Sequence, residues 1–188
     1  MGRIDIRSTL RPRKSLFRPT NFPAEYQLAE RTSAKDLSGR YGATMGLTFE
    51  HWNPETAERF KKFEPEKGID GFLGIRIDHV EPGKLTASFD VSDEMITMIG
   101  NMHGGCLSAF CDHVLGVVLY PVMPKGSWAA TTEFKINLLK PVSEGTCTAT
   151  AEVISMSRTT AVVRIDVANG DRLVAAAQGT CLIMAPKS

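Results

Sequence analysis

The 188-residue sequence predicts an α+β domain in which an antiparallel sheet curls around one long helix, with a helical extension before it. Two observations lead to this fold class. The stretch from Met95 to Leu119 is almost wholly apolar or small, and a helix without a polar face must be wrapped by other structure. Two stretches before this helix and four after it alternate apolar and polar residues with a period of two, which is typical of β-strands. The predicted order is therefore β-β-α-β-β-β-β.

Residues 1–66 have the character of an extension, and residues 67–188 that of the domain. The first 20 residues carry six basic side chains and one acidic one, which makes them a basic arm. Two short helices are predicted after it. The first runs from Ala24 to Leu37. The second begins at Asn53-Pro54-Glu55, with Asn as the N-cap and Pro at the first helical position, and it places Phe60 and Phe63 on one face.

Strands are predicted on both sides of the central helix. Before it, alternation through Ile75, Ile77 and His79, a turn at Glu81 to Lys84, and renewed alternation from Leu85 to Val91 indicate a hairpin. After it, four strands form a meander in which Asn169-Gly170 is the strongest turn signal. These strands are Trp128 to Leu139, Thr146 to Ser155, Thr159 to Ala168 and Arg172 to Met184.

Composition gives no reason to expect nucleic-acid or membrane binding. The net charge is +1, no apolar run approaches the roughly 20 residues of a membrane span, and the first 30 residues lack the apolar block of a signal peptide. The four cysteines form no C-x-x-C pair and have no metal-ligand spacing. We therefore expect a reduced, cytoplasmic protein with no metal and no redox cofactor.

Chemistry is indicated at the start and in the middle of the central helix. Asp112 lies among apolar residues, where a carboxylate is costly unless it is paired or functional. Taken singly, Asp112 could bond a loop and His103 could cap the helix. Together with Gly104 and Gly105 they favour a site. His113 points about 100° away from Asp112 and is interpreted as a satisfied core or interface histidine.

These residues suit attack on a thioester. The carbonyl oxygen becomes negative, and free N–H groups at a helix start, here Gly104 joined by Gly105, can hold it. Glycines let the substrate approach, and His103 shapes the loop. Asp112 could attack the carbonyl directly or take a proton from an attacking water, and the sequence leaves both roles open.

The motif His103-Gly104-Gly105, with Asp112 nine residues after the histidine, resembles that of the hotdog-fold acyl-CoA thioesterases of the PaaI-like (4-hydroxybenzoyl-CoA thioesterase) superfamily. The resemblance covers about residues 67–185. It implies a hotdog fold and hydrolysis of an acyl-CoA to a free acid and CoA, with no cofactor beyond the CoA of the substrate. It also implies a homodimer with shared active sites, often assembled into a tetramer.

Helix geometry independently favours a shared site. Gly104 and Asp112 are eight residues apart, about 12 Å along a helix and about 80° apart in direction, so one helix cannot bring both to one carbonyl. Two antiparallel helices in a symmetric dimer would place Gly104 of one subunit opposite Asp112 of the other.

The resemblance also implies roles for residues outside the motif. Thr97 stands where the family commonly has Asn or Gln to bind the thioester or the water, and its hydroxyl has a shorter reach. Thr131 lies where relatives place a Ser or Thr that orients the water. The turn Ser157-Arg158-Thr159 corresponds to a contact with the nucleotide part of CoA, since Arg pairs well with phosphate. Lys135 and Lys140 are weaker candidates for the same role.

Two rival functions remain open. One is a non-catalytic module that binds acyl-CoA or lipid on the same fold, which Thr97 in place of Asn or Gln favours. The other is a hotdog hydratase or dehydratase, which is disfavoured because the two glycines suit an oxyanion site better.

Overall fold

The computed structural model describes residues 47–185, so the predicted helix from Ala24 to Leu37 and the basic arm lie outside the described residues. Three α-helices and six strands follow one another along this part of the chain. They are α1 (Pro54–Lys61), α2 (Gly68–Leu73), β1 (Arg76–Glu81), β2 (Lys84–Asp90), α3 (Gly104–Val117), β3 (Trp128–Leu138), β4 (Thr146–Met156), β5 (Thr160–Asn169) and β6 (Arg172–Met184).

The six strands form one antiparallel sheet in the order β1-β2-β4-β5-β6-β3. From β1 onward the order of elements is the predicted β-β-α-β-β-β-β, and the curled sheet around α3 confirms the predicted hotdog fold. The observed ends of the meander strands agree with the predicted ends to within one residue. The chain order leaves β1 and the 11-residue β3 at the two edges.

The concave face of the sheet packs against α3. Phe110 of the helix and Phe89 of β2 are both fully buried, with their rings edge to face at 4.9 Å between centroids. Gly179 of β6 lies under the helix, and a Cβ at this position would overlap Leu115 of α3 and Phe134 of β3. A glycine is therefore needed for the helix and the edge strand to approach β6 so closely.

The predicted alternation in β1 is wrong at His79. A β-bulge between Ile77 and His79 shifts the register against β2. As a result His79 is exposed, and Val80 takes the inward position. A bulge adds one residue to a strand, so strict period two cannot continue through it.

The helix α1, which the sequence analysis assigned to the extension, packs against the domain. Asn53 is the N-cap residue, as predicted, but its side chain makes no cap hydrogen bond and instead donates to the carbonyls of Pro121 and Met123 at 3.3 and 3.0 Å. Phe60 packs on Tyr120, whereas Phe63 lies beyond the end of α1 and is exposed. The boundary between residues 66 and 67 stays a prediction.

The composition of α3 predicted that other structure would cover the helix on every side. In the described residues, one side of the helix is left uncovered. One stripe, consisting of Gly105, Ser108, Ala109, Asp112 and Gly116, is exposed or half-buried in the single chain. These positions recur at three- and four-residue intervals, so they share one side of the helix. The stripe escaped the sequence pattern because all its residues except Asp112 are small and uncharged.

By length and composition alone, the 19-residue segment Gly104–Val122 could cross a membrane, since an 18-residue window of it has a mean hydropathy of 1.5. Of this window, 56% is buried inside the protein. A core helix has the same composition, so the segment is explained by the packing of α3 under the sheet.

Candidate functional site

A closed loop leads into α3. Ile96 and Met102 form an isolated antiparallel bridge, and the N–H and the hydroxyl of Thr97 both donate to the Asn101 carbonyl at 2.8 Å. Gly100 closes the turn with φ +83°, a conformation that favours glycine. The Thr97 hydroxyl therefore donates its one hydrogen within the loop, and only its oxygen lone pairs remain to accept a further hydrogen bond.

His103 is the N-cap residue of α3. Its Nδ1 accepts a hydrogen bond of 2.8 Å from the Gly105 N–H. An accepting Nδ1 carries no hydrogen, so this contact assigns the hydrogen of the neutral ring to Nε2. The Gly105 amide is already donated and is not available to a ligand, whereas the sequence suggested that it would join Gly104.

The Gly104 N–H has no hydrogen-bond acceptor among residues 47–185. Gly104 is the first residue of α3, where backbone N–H groups are left without helical partners and the helix dipole is positive. A Cβ at position 104 would overlap the side chain of Leu138 at the end of β3. The glycine thus allows the strand end to lie against the helix start.

A groove of about 350 Å³ lies beside the Gly104 amide. Its sides are the loop before α3 and the segment after β3, which are joined by a 2.7 Å hydrogen bond from the Met102 N–H to the Val142 carbonyl. Thr97, His103 and Gly104 line this groove together. Three of the predicted site residues are therefore brought together here.

Asp112 lies on the exposed stripe of α3 and makes no hydrogen bond or ion pair with residues 47–185. Thr131 of β3 is near it through Cys181, whose Sγ lies 3.8 Å from the Thr131 Oγ1. Burial raises the pKa of the Cys181 thiol, the Thr131 contact lowers it, and the Asp112 charge raises it further. Thr131 therefore contacts a thiol that the Asp112 charge influences, and neither Asp112 nor Thr131 lines the groove.

In one chain the predicted site is therefore divided into two halves. The amide half holds Thr97, His103 and Gly104, and the carboxylate half holds Asp112 and Thr131. Two turns of α3 separate Gly104 from Asp112, about 12 Å along the axis. A single carbonyl cannot contact both residues of the same chain.

The predicted nucleotide contact lies at the turn between β4 and β5. Ser157 organises this turn, because its Oγ accepts from the N–H groups of Thr159 and Thr160 at 3.3 and 3.0 Å. Arg158 makes no hydrogen bond or ion pair within the described part of the chain. Ser157 and Arg158 line a second cavity, of about 410 Å³, together with residues 47–51. This cavity is lined by different residues from those of the groove at Gly104.

His113 is a satisfied histidine, as predicted. Its Nδ1 lies 2.9 Å from a carboxylate oxygen of Asp70 and links α3 to α2. The helix α2 itself was not predicted, although Gly74 in the left-handed conformation at its end is a common stop signal. Neither the approach of Leu138 to Gly104 nor the pairing of Asp70 with His113 had a signal in the sequence.

The four cysteines are buried and reduced. Burial raises the pKa of the Cys111 thiol to about 12, with a further contribution from the Asp112 charge, and burial also raises that of Cys147 to about 11. Because thiolates are the reactive form, these side chains are inert near neutral pH. They pack as small hydrophobes, in agreement with the sequence interpretation.

Known proteins resemble this chain over the same region. A model of the thioesterase superfamily matches residues 99–176. A Saccharolobus solfataricus protein, provisionally named an esterase, is 31% identical over 63% of this chain and 79% of its own length. The 1,4-dihydroxy-2-naphthoyl-CoA hydrolase of Listeria monocytogenes is 27% identical over 53% of this chain and 81% of its own. A crystal structure of a hypothetical thioesterase with coenzyme A from Streptococcus pneumoniae has a TM-score of 0.58 at 28% identity, covering 64% of this chain and 94% of that one.

Proposed function

The chain belongs to the thioesterase superfamily and is a hydrolase, and from this we propose that it cleaves an acyl-CoA thioester to a free acid and coenzyme A. The observation that carries the proposal is the Gly104 N–H at the first position of α3, which has no acceptor within the described part of the chain. A thioester carbonyl under attack places negative charge on its oxygen. A preorganised amide at a positive helix end stabilises that charge.

The attacking group is assigned to Asp112. Its carboxylate is exposed on α3 and has no competing partner among the described residues, so it is accessible to a substrate. It acts either as a nucleophile that forms a mixed anhydride or as a general base on a water molecule. Thr131, in the carboxylate half, is suited to orient that water by hydrogen bonding.

The complete site is proposed to form between two chains. A twofold dimer with antiparallel α3 helices joins the amide half of one subunit to the carboxylate half of the other, and it does so twice. The exposed stripe of small residues on α3 would let two such helices approach closely. The long edge strand β3 offers main-chain groups for pairing with a second copy, and further assembly to a tetramer is compatible with this dimer.

The CoA end of the substrate is assigned to the basic groups near the two cavities. Arg158, without a partner among the described residues, is the main candidate for phosphate, with Ser157 and Thr159 shaping its turn. Lys140 lines the groove beside Gly104. Two relatives support a CoA ligand, one named as a CoA hydrolase and one crystallised with coenzyme A.

Thiol release from a panel of acyl-CoAs tests the proposal. The wild-type protein should release free CoA, and Asp112→Asn should reduce the rate by about 10²- to 10⁴-fold, because the variant keeps the shape of the side chain but loses its charge. Asp171→Asn, at the exposed turn before β6, is the matched control and should retain the wild-type rate. Undiminished thiol release by Asp112→Asn would contradict the assignment.

One observation favours a non-catalytic acyl-CoA-binding module as the second candidate. The Thr97 hydroxyl donates to the Asn101 carbonyl, so it cannot donate to a thioester as an Asn or Gln side chain would. Binding of acyl-CoA without thiol release, in both the wild-type protein and Asp112→Asn, would select this candidate.

A further inference from the structure

The loop before α3 presents two large apolar side chains to solvent. Met98 is 101% exposed and Ile99 is 78% exposed. A rigid segment cannot turn its apolar side chains away from water, so adjacent ones that it holds in solvent form a candidate contact surface for an apolar ligand. This loop is closed by the Thr97 to Asn101 hydrogen bonds and by a 2.9 Å bond from the Gly100 N–H to the Thr97 carbonyl.

The two neighbours differ in what they face. Ile99 lines the groove beside the Gly104 amide, whereas Met98 does not. The floor of the groove is made by Met102, Leu107 and Val142, which are all buried. Ile99 is therefore an exposed apolar side chain beside a groove whose base is apolar and buried.

The opposite wall is also apolar and fixed. Leu138 and Leu139 line it, and they are 53% and 48% exposed. The N–H groups of Leu139 and Lys140 both donate to the Val174 carbonyl, at 2.8 and 3.3 Å, which holds this segment against β6. Lys140, the next residue along, is exposed and adds a positive charge on the same rim.

The groove thus combines an apolar surface, a free amide donor and a cation. This combination matches an acyl thioester, which has an apolar chain, a carbonyl oxygen and an anionic phosphate-bearing end. We infer that Ile99, with Leu138 and Leu139 opposite, forms the surface that contacts the acyl chain next to the thioester, and that Ile99 determines preference for longer apolar acyl groups. This inference rests on the proposed function and specifies the substrate of the same site.

The test is calorimetric titration of the full chain with S-methyl-, S-butyl- and S-octyl-CoA. These thioethers have no carbonyl and cannot be hydrolysed, so the binding series is independent of turnover. For the wild-type protein, affinity should rise with chain length, by up to about fourfold for each methylene that leaves water. Ile99→Ser should bind S-methyl-CoA normally and S-octyl-CoA about tenfold more weakly.

Met98→Ser is the matched control, since it changes the other large exposed apolar residue of the same loop, which does not line the groove. It should reproduce the wild-type series. The inference is overturned if Ile99→Ser also reproduces that series, or if both variants weaken S-octyl-CoA binding equally, which would indicate damage to the loop. The inference is overturned as well if both variants change the sedimentation of the protein. A second chain, and not the acyl group, would then be the partner that contacts the loop.

The two proposals fail in different ways. A normal chain-length series without release of thiol from any acyl-CoA would overturn hydrolysis and leave the acyl-contact assignment standing. Thiol release that depends on Asp112, together with an Ile99→Ser series equal to that of the wild-type protein, would overturn the acyl contact alone.

Discussion

One hydrogen bond determines which amide is available at the start of α3. The His103 Nδ1 accepts a hydrogen bond from the Gly105 N–H, whereas the Gly104 N–H has no acceptor among residues 47–185. The sequence motif predicted the presence of the site because glycines next to a helix start suit an oxyanion. It did not distinguish the two amides, because the side chain of the cap residue selects one of them and its rotamer has no sequence signal.

The Gly104 amide can be removed with little change in backbone shape. Proline is well tolerated at the first helical position, and His103, with φ −63° and ψ +130°, already has the conformation that precedes proline. Gly104→Pro should therefore lower kcat for thiol release by about 10²- to 10³-fold, the usual loss for one oxyanion donor.

Gly104→Ala provides the comparison for that loss. Its Cβ meets the same Leu138 side chain as the proline ring would, but its N–H remains. Circular dichroism and kcat of both variants should be measured together. If Gly104→Ala and Gly104→Pro lose activity equally, then crowding against Leu138 is the cause and the amide assignment fails.

At the scale of elements, the strands were predictable and their irregularities were not. Buried and more exposed positions alternate along most of β4, β5 and β6, and together with the turn residues between them this alternation predicted the strand ends. The bulge at Ile77 and His79 broke the same rule in β1. For α3, composition predicted its place under the sheet but concealed its exposed stripe, since alanine and glycine fit buried and exposed positions alike.

That stripe makes a prediction about assembly. Ala109 is half-buried in one chain and lies in the stripe between Gly105 and Asp112. In the proposed dimer, Ala109→Arg would place a long cation between two closely packed helices. We expect it to convert the protein to a species near the chain mass of 20.6 kDa in sedimentation equilibrium, while the wild-type protein sediments at about twice that mass.

Asp171→Arg, which adds the same charge at an exposed turn, should leave the assembly unchanged. A dimer that survives Ala109→Arg would mean that the two helices do not face each other across the interface.

For the whole molecule, the fold predicted from the sequence is confirmed, whereas the location of the site on α3 and the need for two helices stay predictions. The spacing of Gly104 and Asp112 was sufficient for the last point, because helix geometry fixes their separation. It was less predictable from the sequence which residues lie close together in space. Thr131 contacts Cys181 because β3 pairs with β6 across the sheet, and the end of the same strand brings Leu138 against Gly104. Such contacts depend on strand order, which local pattern does not determine.

A shared site can be demonstrated by complementation. Gly104→Pro and Asp112→Asn are each expected to be inactive alone. When the two variants are co-expressed with different tags, half of the dimers should contain one chain of each variant. Each of these mixed dimers has one site with both residues intact. Purification of the doubly tagged species should therefore give about half of the wild-type activity per dimer, and the unseparated mixture about a quarter. Mixtures without activity would indicate that each chain acts by itself.

The division of the site along α3 has a consequence for how the protein responds to its own abundance. In the proposed mechanism the amide that holds the oxygen and the carboxylate that attacks the carbon lie two turns of α3 apart, so a single chain would contain no complete site. Turnover would then depend on the encounter of two copies. On dilution below the dissociation constant of the pair, the rate would fall with the square of the total chain concentration rather than in proportion to it.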